Sequence, residues 1–174
     1  MKNGFLKKIK HKALLLYSWF IKSITFLLPD FPLAMRFRGW LYGLGMKTCG
    51  KDLQVGAGAR LIGLEFMSFG DHCYISPGCA FIISRGLSVS DDIIFGPYVV
   101  IADGDHTLFN GAYRLGKRKE APVSIGRGSW VAAHVTITQG AHIGERALVG
   151  ANSVVVGHVG SDSKVGGVPA KKIA

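Results

Sequence analysis

Acidic residues and cysteines are scarce in this chain, and both shortages narrow the classes of protein it can belong to. Its 174 residues include 11 Asp and Glu against 21 Lys and Arg, so the formal net charge is +10. The three cysteines are Cys49, Cys73 and Cys79, and none belongs to a CxxC pair. An odd number without a framework of pairs is typical of a reducing compartment. We expect Cys73 and Cys79 to be buried free thiols rather than members of a disulfide or metal site.

Acids are rarest at the N-terminus. Residues 1–40 carry eight Lys and Arg but a single acid, Asp30, which concentrates a charge of +7 in under a quarter of the chain. Such asymmetry predicts an anionic partner, either a membrane or a nucleic acid. Because the positive charge lies in an apolar segment and no nucleic-acid-binding motif is present, we expect the membrane surface and no nucleic acid.

The apolar run over residues 13–28 is too short to cross a bilayer. As a helix, its 16 residues cover about 24 Å, against the ~30 Å of a hydrocarbon core. No small-x-small cleavage site precedes Pro29, so we do not expect a cleaved signal peptide. The pattern favours an interfacial helix that holds residues 1–28 at the inner face of the cytoplasmic membrane, with the protein peripheral and cytoplasmic. A helix packed on its own domain or on a neighbouring subunit is the alternative. The side chains expected near the lipid are Trp19, Phe20 and Phe26.

A second short helix is expected after Pro32, with Gly43 and Gly45 providing its stop. The repeats described next begin near Cys49. We therefore divide the chain into an N-terminal helical segment, residues 1–48, and a repeat domain, residues 49–174.

Apolar residues recur every six positions, a period that neither an α-helix nor an ordinary strand shows. A short fixed period indicates one unit stacked on itself, so that each rung covers the apolar face of the last. The longest unbroken series is Ile125, Val131, Ile137, Ile143, Val149 and Val155, with small or aliphatic residues four places on, at Ser129, Val135, Ala141, Ala147, Ser153 and Val159.

Earlier hexads are interrupted in two ways. The steps from Leu61 to Phe69 and from Phe81 to Val89 are eight residues long, and we place the extra residues at rung corners. Residues 103–122 break the pattern entirely with a polar, basic, glycine-bearing stretch, which predicts a loop that protrudes from the solenoid. A long loop on a repeat scaffold is more often functional than accidental.

The segments VSDDII–FGPYVV–IADGDH, PVSIGRGSWVAAHVTITQGAHIGERALVGANSVV and GGVPAKKI resemble the hexapeptide-repeat acyltransferases, most closely the branch that O-acetylates sugars and bacterial surface polysaccharides. The resemblance covers about residues 50–174. It implies a mainly β fold, a left-handed parallel β-helix. It also implies a homotrimer with active sites between neighbours, and acetyl-CoA as co-substrate.

The resemblance implies that His106, in the motif DGDHTLF, is the catalytic base. A neutral imidazole near pH 7 suits abstraction of a hydroxyl proton. Asp103 and Asp105 lie beside it in sequence, and one of them is a candidate to orient the imidazole. The alternative for both aspartates is turn chemistry.

Coenzyme A is expected along the C-terminal rungs. By the resemblance, Ala133 and Ala151 mark places where backbone groups approach the pantetheine arm, and Val156 lies near the adenine end. Lys171 matches a residue that meets the nucleotide phosphates, and Lys172 could assist. A solvated basic tail is the alternative for the two lysines.

Two residues are candidates for contact with the acceptor. Ser76 stands where the galactoside and maltose acetyltransferases have an asparagine, so the identity of their acceptor does not transfer to this chain. Trp130 precedes an inward valine and should point outward, to stack on a sugar, to border the thioester or to pack in a trimer.

No metal is expected. His72, His134, His142 and His158 are interpreted as surface or rung-edge residues, and no pair has the spacing of the γ-class carbonic anhydrases that share this fold. The sequence therefore predicts an acetyl-CoA-dependent O-acetyltransferase acting by direct transfer to a sugar hydroxyl of a surface polysaccharide or its lipid-linked precursor. A xenobiotic O-acetyltransferase and a non-catalytic β-helix scaffold are the alternatives.

Overall fold

The computed structural model describes residues 2–173, except for the side chains of residues 2–4 and 7. Two α-helices come first, α1 (Lys2–Thr25) and α2 (Pro32–Gly43), and short strands follow. In chain order the strands are β1 (Thr48–Cys49), β2 (Gln54–Val55), β3 (Arg60–Ile62), β4 (Met67–Phe69), β5 (Tyr74–Ile75), β6 (Ala80–Ile82), β7 (Leu87–Val89), β8 (Ile94–Phe95), β9 (Val100–Ala102), β10 (Gly104–His106), β11 (Arg118–Glu120), β12 (Val123–Ile125), β13 (Trp130–Val131), β14 (Thr136–Ile137), β15 (His142–Ile143), β16 (Leu148–Val149), β17 (Val154–Val155), β18 (His158–Val159), β19 (Lys164–Gly166) and β20 (Lys171–Lys172).

Successive strands join successive sheets, which makes the chain a three-faced parallel β-helix. The first face has the order β1-β4-β7-β12-β15-β18, the second β2-β5-β8-β13-β16-β19, and the third β3-β6-β9-β14-β17, all with parallel pairing. The last strand, β20, turns back antiparallel to β19. The hexapeptide-repeat β-helix expected from the sequence is thereby confirmed.

The six-residue period places one apolar side chain per strand inside the prism. Val131, Ile137, Ile143 and Val149 are fully buried, and each stacks on the equivalent residue of the next rung. Stacking of this kind removes the apolar face of every rung except the end ones from water, which is the main favourable term in a solenoid.

The number of residues from one inward strand residue to the next varies at one edge of the prism, where the third face meets the first. At the other two edges the inward strand residues are six positions apart. The predicted placement of the eight-residue steps at rung corners is confirmed, but the sequence expectation that Val159 continues the small-residue series is wrong. Val159 pairs with Ile143 and is itself a strand residue, because the last corner of this edge is two residues shorter. The steps across this edge are Leu61–Phe69, Phe81–Val89, Ile101–Ile125, Ile137–Ile143 and Val155–Val159.

The two helices cap the exposed end of the first rung. The first-rung strands β1, β2 and β3 are the terminal strands of their sheets, and carbonyls of this rung accept hydrogen bonds from the helices. Ser18 on α1 donates to the carbonyl of Leu61, and Tyr42 on α2 donates to that of Ala59 at 3.2 Å. Unpaired strand edges invite unwanted pairing, and these bonds close the edge.

Arg38 is the central residue of this cap and is only 2% exposed. Its guanidinium donates to the carbonyl of Val55 at 3.0 Å and to the carboxylate of Asp30 at 2.7 Å. It also donates to the carbonyls of Leu28 and Thr25. A planar fork with five N–H donors suits this convergence of acceptors, so one buried cation joins α1, α2 and the first rung.

One side of α1 packs on its own domain and the other side faces solvent. Ser18, Ile21 and Thr25 are buried, whereas Trp19 and Phe20 are 66% and 53% exposed. The packing alternative therefore describes one side of this helix, and the outward side keeps the apolar surface expected of an interfacial helix. Within residues 2–173, no helix is long and apolar enough to cross a membrane.

The expected burial of Cys73 and Cys79 is confirmed, while Cys49 is exposed. Burial raises the pKa of both buried thiols to about 11, from an ordinary value of 9.0. Because they lose their protons at higher pH in the folded chain than in the unfolded chain, their contribution to the free energy of unfolding is complete below pH 9. It is lost as the pH rises through about 11.

This titration predicts a falling stability between pH 9 and pH 11 that depends on the two buried thiols. Chemical denaturation at pH 8, 9, 10 and 11 measures it, with Cys73→Ala/Cys79→Ala as the comparison. The double variant should lose less stability than the parent across this interval. Parallel losses in the two proteins would contradict the assignment.

Candidate active site

The residues missing from the hexad pattern form a β-hairpin at the third–first edge. Strands β10 and β11 pair antiparallel, with Gly104 opposite Glu120 and His106 opposite Arg118. Just beyond His106, the Thr107 hydroxyl donates to the carbonyl of Lys117 at 2.6 Å and holds the two arms together. The hairpin thus carries His106 out of the prism on a paired strand, with its side chain exposed.

Asp103 anchors the base of this hairpin. It is fully buried, and its carboxylate accepts hydrogen bonds from the backbone N–H groups of Ser84 (2.9 Å), Arg85 (2.5 Å) and Gly86 (3.0 Å) and from the Ser84 hydroxyl (2.9 Å). Of the two roles considered for Asp103, the structure shows turn chemistry, in the neighbouring 84–86 turn. A carboxylate satisfied by four donors has no free lone pair directed at an imidazole.

Asp105 is exposed and lies opposite Lys119 on the hairpin. Successive side chains of a strand point to opposite faces, so Asp105 and His106 project to different sides of β10. On the same side as His106 stand Arg118 and Glu120, which form an ion pair at 3.4 Å.

Sequence reasoning placed Arg118 and Glu120 in the protruding loop without pairing them with the His106 strand, and it did not identify Ser84 as a neighbour of this site. The Ser84 hydroxyl lies 3.1 Å from the Glu120 carboxylate, which joins the hairpin to the turn below it. The hairpin register decides these contacts, and a loop without alternating apolar residues gives no register signal. The contact between Ser84 and Glu120 joins residues 36 positions apart, and no local sequence pattern indicates it.

A groove of about 610 Å³ runs along the first face beside the hairpin base. Its hydroxyl-bearing wall is formed by Ser68, Ser88 and Ser124, three residues in register on β4, β7 and β12. Arg85 and Lys47 add positive charge, and Glu65 adds negative charge. Hydroxyls and charges of both signs in a groove of this size suit a polar ligand rather than an apolar one.

The predicted coenzyme A residues lie on a different edge, between the second and third faces. The N–H of Asn152 donates to the carbonyl of Ala133 at 3.0 Å, which places Ala133 and Ala151 one above the other on consecutive rungs. Ser76 lies at the same edge two rungs before Ala133 and is 6% exposed. Ala133 and Ala151 therefore form one line, Ser76 lies beside it in register with Ala132, and His106 belongs to another edge of the same chain.

The remaining candidates lie off that line, three of them on the second face and Val156 at the third–first edge. Trp130 is 49% exposed on the second face, in register with Ile94 and Leu148. Val156 is exposed just after β17. Lys171 and Lys172 form β20 and are both exposed, at the C-terminal end of the second face.

The other histidines lie on corners and faces, as expected from the sequence. His72 and His134 occupy left-handed corner positions with φ of 56° and 58°. His142 and His158 stack at 5.1 Å on the first face, and the Nδ1 of His142 lies 2.6 Å from the Ser124 hydroxyl. No cluster of three or more metal-ligating side chains occurs in the described part of the chain.

Comparison with known proteins agrees with this architecture. A family model described as "Hexapeptide repeat of succinyl-transferase" matches residues 140–167. The match falls on rungs whose inward residues the structure shows to be stacked and buried. Residues 140–167 therefore carry the hexapeptide repeat that this model describes.

Several relatives among curated sequences carry acetyltransferase names. This hexapeptide-repeat chain is 27% identical over 150 residues to WbbJ of Escherichia coli K12, named as a lipopolysaccharide biosynthesis O-acetyl transferase; the match covers 80% of this chain and 76% of WbbJ. It is 26% identical over 87 residues to the galactoside O-acetyltransferase of the same organism, covering 50% of this chain and 43% of that enzyme. The resemblance to the hexapeptide-repeat acyltransferases is confirmed.

Solved structures share the fold over nearly the whole chain. The hexapeptide-repeat acetyltransferase VCA0836 from Vibrio cholerae, complexed with acetyl coenzyme A, superposes with a TM-score of 0.83 at 24% identity, covering 94% of this chain and 87% of that one. The galactoside acetyltransferase in complex with coenzyme A gives a TM-score of 0.83 at 20% identity, covering 94% and 81%. These similarities extend over the N-terminal helices as well as the β-helix.

Proposed function

We propose that this chain is an acetyl-CoA-dependent O-acetyltransferase that acetylates a sugar hydroxyl of a bacterial surface polysaccharide or its lipid-linked precursor. The observation that carries the proposal is His106, presented on a paired hairpin strand at the one irregular edge of a regular β-helix. The match to WbbJ, over four-fifths of the chain, supports the choice of acceptor class.

In the proposed mechanism, His106 takes the proton of the acceptor hydroxyl as the oxygen attacks the thioester carbonyl. The tetrahedral intermediate then collapses with loss of the coenzyme A thiolate, which takes up a proton, and the acetyl ester remains on the sugar. Transfer is direct, with no acyl-enzyme. The buried thiols of Cys73 and Cys79, with a pKa of about 11, are inside the prism and unsuited to carry an acyl group.

The proposed site is completed by a second copy of the chain. His106 is on the third–first edge, whereas Ala133 and Ala151 are on the second–third edge, so the third face separates them within one chain. A trimer of prisms lets the hairpin of one copy reach the coenzyme A edge of the next. The outward row of Ile94, Trp130 and Leu148 supplies an apolar surface for such a contact.

The activity is tested by incubating the full chain with acetyl-CoA and glycans from a strain that lacks the gene. We expect release of free coenzyme A together with an acetyl mass increment on the glycan. Transfer to small antibiotic hydroxyl compounds but not to glycans would favour the xenobiotic alternative. Absence of transfer to either acceptor would favour the scaffold alternative.

Coenzyme A binding gives a second prediction. Removing the exposed cations of β20 with Lys171→Gln/Lys172→Gln should raise the KM for acetyl-CoA about tenfold at unchanged kcat, because charged hydrogen bonds to phosphate contribute to binding and not to the reacting centre. Arg60→Gln, which removes an exposed cation from the first rung, is the matched control and should leave KM as it is. Equal KM values for the parent and the double variant would contradict the placement of the phosphates.

The proposed location of the protein is the inner surface of the cytoplasmic membrane, which residues 1–28 bind. Deleting this segment would also uncover the first rung, where Ser18 and Ile21 are buried. The sharper test replaces outward residues alone, in Trp19→Gln/Phe20→Gln, and measures sedimentation with anionic vesicles. We expect weaker binding than for the parent and for Leu115→Gln, which changes an exposed apolar residue on the hairpin. Equal binding of all three would overturn the proposal.

A further inference from the structure

A second groove lies at the N-terminal end of the prism, away from the His106 hairpin. It has a volume of about 860 Å³ and runs between α2 and the chain segment that enters the first rung; we call it the α2 groove. Its volume is in the range of pockets that take a small organic ligand. The close approach of α2 depends on Gly43, where a Cβ atom would lie 3.0 Å from the Sγ of Cys49.

Part of the α2 groove is apolar and continuous with an exposed stripe on α2. Trp40 and Leu44, which line the groove, are 60% and 63% exposed. With Leu33 and Phe37 they repeat at the four- and three-residue spacing that forms one side of a helix. The opposite side of α2 is buried on the first rung, so this stripe points away from the prism.

The remainder of the α2 groove is positively charged. Lys47 and Lys51 line it and are exposed. Arg36 also lines it and is paired with Asp52 at 2.5 Å, a bond that holds the pKa of the Asp52 carboxyl below its usual value. The carboxylate of Asp71 lies nearby, where it accepts a hydrogen bond from the backbone N–H of Lys51 at 2.7 Å. The lining itself holds Arg36, Lys47 and Lys51 against Asp52, so it carries a surplus of positive charge.

An apolar stripe that leads into a cationic groove fits an amphiphilic anion. We infer that the α2 groove binds one anionic phospholipid of the membrane, with an acyl chain against Trp40 and Leu44 and the phosphate at Lys47 and Lys51. A two-fold contact with a second copy of the chain fits less well, because it would bring two like-charged lysine clusters together. The inference rests on the membrane association proposed above and is independent of acetyl transfer.

Cys49 provides a probe in the unmodified protein. It lines the α2 groove and is exposed, whereas Cys73 and Cys79 are buried. The rate of its alkylation by a maleimide therefore reports whether the groove is occupied. The probes are dihexanoyl phosphatidylglycerol below its micelle concentration, dihexanoyl phosphatidylcholine at the same concentration, and glycerol 3-phosphate, which has the headgroup charge without the chains.

We expect dihexanoyl phosphatidylglycerol to slow alkylation of Cys49 at least about fivefold at saturation, and the other two compounds to change the rate less than about twofold. The lipid concentration for half-protection should rise about thirtyfold in Lys47→Gln/Lys51→Gln. The matched control is Lys164→Gln, an exposed lysine on the last rung, which should behave like the parent.

Three outcomes would overturn the inference. Protection by glycerol 3-phosphate equal to that by the lipid would show an anion site without a chain site. Protection without lipid that grows with protein concentration would show that a second copy covers the groove. No protection by the anionic lipid, or protection unchanged in the double lysine variant, would exclude the groove as the lipid site. Either result is compatible with binding of vesicles through α1, which the sedimentation test measures separately.

Discussion

His106→Asn should lower kcat/KM for acetyl transfer by a factor of about 10² to 10⁴, the usual contribution of a positioned general base. The substitution removes the nitrogen that would take the hydroxyl proton and leaves a side chain that a strand end accepts. His106 is exposed on β10, and the backbone pairing with Arg118 does not depend on its imidazole. The free energy of unfolding should therefore stay within about 0.5 kcal/mol of the parent.

The matched control is His72→Asn. His72 is also exposed, but it lies on the edge between the first and second faces with φ of 56°, a backbone conformation that asparagine tolerates. Steady-state assays of both variants at saturating acetyl-CoA make the comparison. Retention of full activity by His106→Asn, or an equal loss in His72→Asn, would contradict the role of His106.

Arg38→Met should destabilise the fold by about 2–4 kcal/mol, since it leaves a partly exposed carboxylate and several carbonyls without the donors of the buried guanidinium. The carboxylate is that of Asp30, 2.7 Å from the guanidinium, and the carbonyl of Val55 belongs to the edge of the first rung. For a chain of 174 residues, this loss corresponds to a fall in the melting temperature of about 10 °C.

Arg36→Met provides the comparison on the same helix. Arg36 also pairs with an aspartate, Asp52, but its side chain is 50% exposed, so the loss of stability should be much smaller than in Arg38→Met. Thermal and urea unfolding of the two variants measure the difference, and Arg38→Lys should fall between them because it keeps the charge but loses the planar fork. Equal melting temperatures for Arg38→Met and Arg36→Met would show that Arg38 is not the centre of the cap.

The fold of the repeat domain could be predicted because the six-residue period indicates which residues lie inside the prism. A residue such as Val131 or Val149 must be apolar and six positions from its neighbours to lie inside the prism, so the pattern gives both strand and core. The last corner escaped prediction because Val155 to Val159 differs from the other steps only in length. An aliphatic residue four places on fits the strand position and the small-residue position equally well.

The side chains that the N-terminal helix and the His106 hairpin bury could be assigned only from the structure. Residues 13–28 are almost wholly apolar, so their sequence does not distinguish the side that packs at Ile21 from the side that exposes Trp19. Asp103 and Asp105 look alike in sequence, yet one is buried in the 84–86 turn and the other is exposed. The buried Asp103 carboxylate depends on hydrogen-bond donors that lie 17 to 19 residues away, which the sequence around Asp103 does not indicate.

The central claim is that one active site takes His106 from one copy and the coenzyme A edge from another. The most direct measurement mixes two inactive variants, His106→Asn and Ala151→Trp, by unfolding and refolding them together. Ala151 is exposed on the coenzyme A edge, so a tryptophan there should block the groove without entering the core. Random mixing in equal amounts should restore about a quarter of the parent activity, because one site in four then combines an intact His106 with an intact edge. Activity of the mixture no greater than that of the separate variants would contradict a site shared between copies.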